Sequence, residues 1–135
     1  MNCSTRGFSL VEMAVVLLVI GIFASVGFGA LKWIKSAKVT KTKHILSELK
    51  MAITSYKTIL DSYPNKLEDL MIKPSGASVK WTKFVEDEDS FKDAWGHEFE
   101  YKVNPKGAKP AYELYSNGPD EDNEDESERI SVWSL

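Results

Sequence analysis

The stretch Met13–Leu31 reads MAVVLLVIGIFASVGFGAL, nineteen residues without a single charge. As a helix it extends about 28 Å at about 1.5 Å per residue, close to the hydrocarbon thickness of a bilayer. A helix seated on a globular core is amphipathic, whereas this one is apolar on every side. The whole chain has 135 residues, so too little sequence remains to wrap such a helix as a buried core element. A membrane span is therefore expected. A secretory signal peptide is the competing reading. Against it, the run exceeds the usual h-region of about 7–15 residues, few residues precede it and no Ala-x-Ala-like site closes it. The segment is expected to stay in the mature chain.

Past the run the helical pattern continues. Ile45, Leu46, Leu49, Ala52, Ile53, Tyr56, Ile59 and Leu60 recur at three- and four-residue steps, an apolar stripe suited to seating a small domain. Asp61-Ser62-Tyr63-Pro64 ends it, because proline cannot join the helical ladder and restricts its predecessor. One helix of about fifty residues is expected, half apolar all round and half amphipathic. Asn65-Lys66-Leu67-Glu68 reads as a capping signal for a short helix through Met71, with Asn65 as cap and Glu68 three residues on. Residues 74–94 read as a long loop. Strand candidates follow at Glu98–Val103, Ala111–Tyr115 and Ile130–Trp133, and Asn104-Pro105-Lys106-Gly107 supplies turn chemistry between the first two. The expected fold class is α+β, with a small antiparallel sheet packed on the amphipathic half-helix. Trp81, Phe84, Phe91, Trp95, Phe99, Tyr101, Tyr112, Tyr115 and Trp133 are the candidate core aromatics.

On the other side of the run stand MNCSTRG and then FSLVE. Glu12 is a lone carboxylate at the entrance of a helix that must enter hydrocarbon. A charge at a span's centre costs about 2.5–3.5 kcal/mol on insertion scales, somewhat less near an end. Either the group sits in the headgroups or it has a functional partner, and the apolar run offers no cation.

Arg6-Gly7-Phe8-Ser9-Leu10-Val11-Glu12, followed by the long apolar run, resembles the class III leader of type IV pilins and type II secretion pseudopilins. The resemblance implies a pilin-like fold and cleavage by a prepilin peptidase after Gly7. It implies N-methylation of the new N-terminal Phe8, and pairing of Glu12 with the charged Phe8 amine of a neighbouring subunit. A buried charge is tolerable when so paired. Many family members carry a proline late in this helix, where the present chain has Gly27-Phe28-Gly29; each glycine weakens a helix by about 1 kcal/mol relative to alanine.

Tyr63-Pro64, the run Asp93-Ala94-Trp95-Gly96-His97-Glu98-Phe99-Glu100-Tyr101 and the run Tyr112-Glu113-Leu114-Tyr115-Ser116-Asn117-Gly118-Pro119-Asp120 are similar to the major pseudopilin family of type II secretion. Ala94 stands where a proline is usual. Residues 65–90 match poorly. The family's loop after the last aspartate binds calcium, and here residues 120–128 hold seven acids in nine positions. Calcium takes six to eight oxygens, so oxygen supply is not limiting. The resemblance makes Asp120 the first ligand and Asn117 a carbonyl donor, with Asp122, Asp125 or Glu128 as the later carboxylate. The loop lacks the family's glycines and is shorter, so a plain solvated acidic loop is the competing expectation.

The divisions expected are a cleaved leader 1–7, a transmembrane and polymerisation helix 8–31, an amphipathic half-helix 32–61, and a globular region 62–135 with its acidic loop at 117–129. Lys32, Lys35, Lys38, Lys41 and Lys43 follow the run, and the positive-inside rule would place them in the cytoplasm. The resemblance implies the reverse: a single pass in the inner membrane, the C-terminal domain in the periplasm and the lysines against anionic lipid headgroups. Cys3, the one cysteine, lies in the leader, so the mature chain is expected to have no thiol chemistry. His44 and His97 lack ligand spacing, and no phosphate loop, nucleophile elbow or acid–base pair is visible. With a net charge of −3, nucleic acid is not expected as a partner. The resemblance therefore implies a structural, non-enzymatic subunit of a periplasmic pseudopilus, a polymer with copies of itself and other pseudopilins raised on an inner-membrane secretion platform. A type IV pilin or minor pilin for adhesion, motility or DNA uptake is the alternative, disfavoured by the missing C-terminal disulfide.

Overall fold

A computed structural model describes residues 7–120 and 129–135, and for 26–32 the backbone alone. The elements are α1 (Leu10–Leu60, 51 residues), β1 (Glu100–Val103), β2 (Tyr112–Ser116) and β3 (Ile130–Ser131), with 3₁₀ turns at Leu67–Leu70 and Glu88–Phe91. The chain divides into two compact units, Met1–Ser36 and Ala37–Leu135.

In the first unit every side chain from Leu10 to Ser25 is exposed, with Leu10 at 90% and Phe23 at 73%. No helix among the described residues is long and apolar enough to cross a membrane. The last third of the expected span, residues 26–31, lies outside the described side chains, as do Gly27 and Gly29.

In the second unit α1 turns amphipathic. Thr42, Leu46, Leu49, Ile53 and Tyr56 are buried, at the three- and four-residue spacing of one helix face. Ile59, expected on that stripe, is 41% exposed, and Thr42 takes a buried place the apolar pattern did not reveal. The helix ends where Asp61 adopts φ 58, a left-handed C-terminal stop that aspartate tolerates better than most residues. Lys57 Nζ donates to the Asp61 carbonyl at 2.6 Å and to its carboxylate at 3.0 Å, occupying acceptors the helix end leaves open.

The sheet has the order β1-β2-β3, antiparallel throughout. In β2 Tyr112, Leu114 and Ser116 face the core while Glu113 faces out, the period-two pattern of a half-buried strand. With Leu67, Leu70, Val85, Phe91, Phe99, Ile130 and Val132 they close one apolar cluster on α1. Two aromatic expectations change. Trp133 is 47% exposed, because β3 stops at Ser131 and the indole turns to donate to the Tyr112 carbonyl at 2.9 Å. Lys50 covers its ring at 4.8 Å. Tyr115 is half-buried, under the Arg129 guanidinium at 4.8 Å. Burial, with nearby Tyr63, pushes the Tyr112 phenol up to about 12, and burial raises Tyr101 as well, so both rings stay neutral in the core.

The short helix is a 3₁₀ turn starting one residue later than the capping pattern implied. Asp69, not Glu68, supplies the carboxylate that accepts from the Asn65 and Lys66 amides, at 3.0 and 3.2 Å. Segment 74–94 holds a second 3₁₀ turn, and its end is tied by a Lys92–Glu98 bridge and by the Phe99 amide donating to the Phe91 carbonyl.

Candidate assembly segment and the root of the acidic loop

The candidate assembly segment begins with Gly7, Phe8 and Ser9, just ahead of α1. The Val11 amide reaches Ser9 Oγ at 3.4 Å, and the Met13 amide donates to the Ser9 carbonyl at 3.1 Å. Ser9 is therefore the N-cap of α1, and Glu12 lies in its first turn, where a negative charge complements the helix dipole. Ser9 was not among the residues anticipated, although Ser-x-x-Glu ahead of an apolar run is a sequence signature of such a start. Phe8 is 75% exposed. Glu12 is also exposed and forms no ion pair among the described residues. A Cβ on Gly7 would meet nothing within 4 Å, so packing in the subunit does not require glycine there.

In the second unit the polar centre is Asp93, 6% exposed. Its Oδ1 accepts the Trp95 amide at 2.9 Å and the His97 amide at 3.0 Å. Its Oδ2 accepts the Ser116 hydroxyl at 2.6 Å. The Asp93 amide donates to the His97 carbonyl at 2.8 Å, and Gly96, at φ +95, closes the turn onto the Asp93 carbonyl. Next door the Ala94 amide donates to Thr42 Oγ1 on α1 at 3.1 Å. At the end of β2, Ser116 Oγ accepts the Gly118 amide at 2.9 Å, and His97 Nδ1 lies 3.0 Å from the Gly118 carbonyl. One buried carboxylate thus joins the 93–97 turn to the residues from which the acidic loop departs, and the neighbouring Ala94 amide ties the same turn to α1. A carboxylate held by three donors is satisfied despite its burial.

Residues 30–134 match the family described as Type II secretion system, protein G, and residues 3–28 match the Prokaryotic N-terminal methylation motif. The chain belongs to the type II secretion protein G family. It is 31% identical to the type II secretion system core protein G of Pseudomonas aeruginosa, over 94% of each chain. The core protein G of Xanthomonas campestris is 31% identical, over 84% of this chain and 78% of its own. That of Escherichia coli is 32% identical, over 96% and 92%. Among solved structures, the major pseudopilin of the type 2 secretion system of enterohaemorrhagic Escherichia coli superposes with a TM-score of 0.61. That likeness covers 78% of this chain and 94% of that one at 19% identity, and establishes a shared pilin-like fold.

As a protein G family member the chain departs from β2 into its acidic loop through Asn117, Gly118, Pro119 and Asp120. Gly118 sits at φ +81, a left-handed turn that suits glycine. Asn117 is half-buried and Asp120 exposed. Asp122, Asp125 and Glu128 lie outside the described residues, and no cluster of three metal-binding side chains occurs among the described ones. The donors named for calcium are all oxygens, the chemistry a hard cation takes.

Proposed function

We propose that the chain is a structural subunit of a type II secretion pseudopilus, matured by a prepilin peptidase and polymerised through α1. The observation that carries this is the pairing of a methylation motif over residues 3–28 with a protein G domain over residues 30–134. The peptidase cuts between Gly7 and Phe8, Phe8 is N-methylated, and its amine meets Glu12 of a neighbouring copy. α1 anchors each subunit as a single pass in the inner membrane, with the domain in the periplasm and the lysine cluster at 32–43 near anionic headgroups. Other pseudopilins and the inner-membrane secretion platform are the remaining partners. No step of this role requires catalysis by the chain.

The mass of the processed protein tests it: residues 1–7 are lost and a methyl group is gained on Phe8. Gly7→Ala is expected to leave uncut precursor in the membrane with an unchanged circular dichroism spectrum, because the subunit has room for the extra methyl. Normal cleavage of that variant would move the cut elsewhere.

Calcium would be held by the Asn117 carbonyl and the Asp120 carboxylate, with Asp122, Asp125 or Glu128 completing the set, and would neutralise a loop of like charges. Calcium at ten times its Kd adds about 1.4 kcal/mol, about 6–11 °C in the Tm of a domain this size. Adding a chelator to full-length protein in detergent is expected to lower Tm by that amount. An unmoved transition leaves the loop as solvated surface.

A further inference from the structure

The groove between the two 3₁₀ turns and the free edge of β1 carries charge that its own subunit does not answer. It encloses about 360 Å³, with Phe91 and Phe99 buried at its base and Glu68, Glu88, Glu98 and Glu100 around it. All four glutamates are exposed, and none forms an ion pair among the described residues. Of the two lysines in the lining, Lys92 is already engaged with Asp89 at 4.0 Å, which leaves Lys66. Like charges around one concavity repel one another and focus a negative potential outward.

The complement stands at the far end of the same strand. Residues 104–111 connect β1 to β2 and present Lys106 and Lys109, both exposed and neither in an ion pair. The connection is held in shape. The Asn104 amide donates to the Ala111 carbonyl at 2.9 Å, Asn104 Nδ2 to the Pro110 carbonyl at 3.0 Å and the Ala108 amide to the Pro105 carbonyl at 3.0 Å. Two lysines on a fastened turn lose less freedom on docking than lysines on a loose loop. β1 keeps the patches apart: its Glu100 end borders the groove and its Val103 end feeds the basic turn, about 10 Å further on. Within one subunit the two charges cannot meet.

We propose that the groove receives Lys106 and Lys109 of a second copy of this chain. A patch and its complement at different places on one surface form a heterologous contact, which repeats from copy to copy and does not close on itself. That is the geometry a polymer needs in its outer layer, and the inference rests on the polymeric role proposed above.

Disulfide trapping in the full chain tests it, since the only cysteine, Cys3, lies ahead of the Gly7 cut. Glu98→Cys and Lys106→Cys are made singly and together, produced alongside the secretion machinery, and oxidised. The chain with both changes is expected to give a ladder of multimers, the two single variants mixed to give dimers, and either single variant alone to give about tenfold fewer. In the chain with both cysteines, Glu88→Lys with Glu100→Lys is expected to lower trapped multimers about tenfold, and adding Lys109→Glu to restore part of them. Multimers caught by an amine cross-linker without any disulfide ladder would overturn the contact while leaving the polymer standing. So would equal dimerisation of Glu98→Cys alone, or its capture of a different protein. No amine-linked multimers from the unaltered chain would overturn the polymeric role as well.

Discussion

Glu12→Ala is expected to be cut and methylated normally yet to yield about 30-fold less polymer or worse, because losing one partner of a buried charge pair costs about 2–5 kcal/mol. The subunit itself gives Glu12 little to do beyond complementing the helix dipole, worth about 0.3–1 kcal/mol. It is exposed, and no described side chain pairs with it. Removing it should therefore leave the monomer's helicity and Tm unchanged. In the polymer the Phe8 amine would then be buried without a counter-charge, which is the costly state. Glu12→Gln separates charge from shape: it keeps the volume and hydrogen-bonding reach, and it should fail nearly as badly. Sedimentation or cross-linking of membranes from each variant reads the outcome. Wild-type polymer from Glu12→Gln would show that the carboxylate acts by size or hydrogen bonding, not by charge.

Asp93→Ala is expected to lower the stability of the folded unit by about 3 kcal/mol or more, since three donors lose their acceptor together and each buried donor left unsatisfied costs about 1–3 kcal/mol. For a domain of this size that is a fall in Tm of about 12 °C or more. Asp93→Asn should cost less, because the amide oxygen can still take the Trp95 and His97 amides. Ser116→Ala removes one bond from the same carboxylate, so adding it to Asp93→Ala should cost less than the two single changes summed. Thr42→Val, which strands the Ala94 amide, should cost about 1–2 kcal/mol. Thermal unfolding of full-length protein in detergent measures the series. A Tm for Asp93→Ala within a degree or two of the parent would show that the carboxylate is not what holds the 93–97 turn to the end of β2.

The contrast between these two residues shows what one sequence discloses. Glu12 was visible because its surroundings are uniform: a single charge beside a long apolar run stands out whatever the fold does. Asp93 was not, because an aspartate before Ala-Trp-Gly reads equally well as a surface turn. Its burial follows from partners at positions 95, 97 and 116, two different parts of the chain. Helix α1 was legible since its period changes in place, from apolar all round to one stripe. The strands were found but their ends were not. Ile130–Trp133 reads as four strand residues, whereas Trp133 gains more by donating its indole hydrogen to Tyr112 than by extending the ladder. The Asn65–Glu68 pattern failed by one residue because Lys66 and Asp69 offer the same spacing, and periodicity cannot choose between adjacent caps. For Asp122, Asp125 and Glu128 neither sequence spacing nor the described residues fix a ligand geometry.

The Ser9 cap lies on the mature side of the proposed cut. The hydroxyl that starts α1 is therefore present both before and after the leader leaves. Proteolysis need not rewind anything: it trades a peptide bond for an ammonium group at the head of a helix that is already nucleated. That ammonium is set against the positive end of the dipole, with Glu12 in the same turn as the nearest compensation its own chain offers. The leader then works as an electrical mask. While it is attached, the nitrogen of Phe8 is a neutral amide. Once it is gone, the same unaltered backbone presents both signs, and two such heads can complete one another.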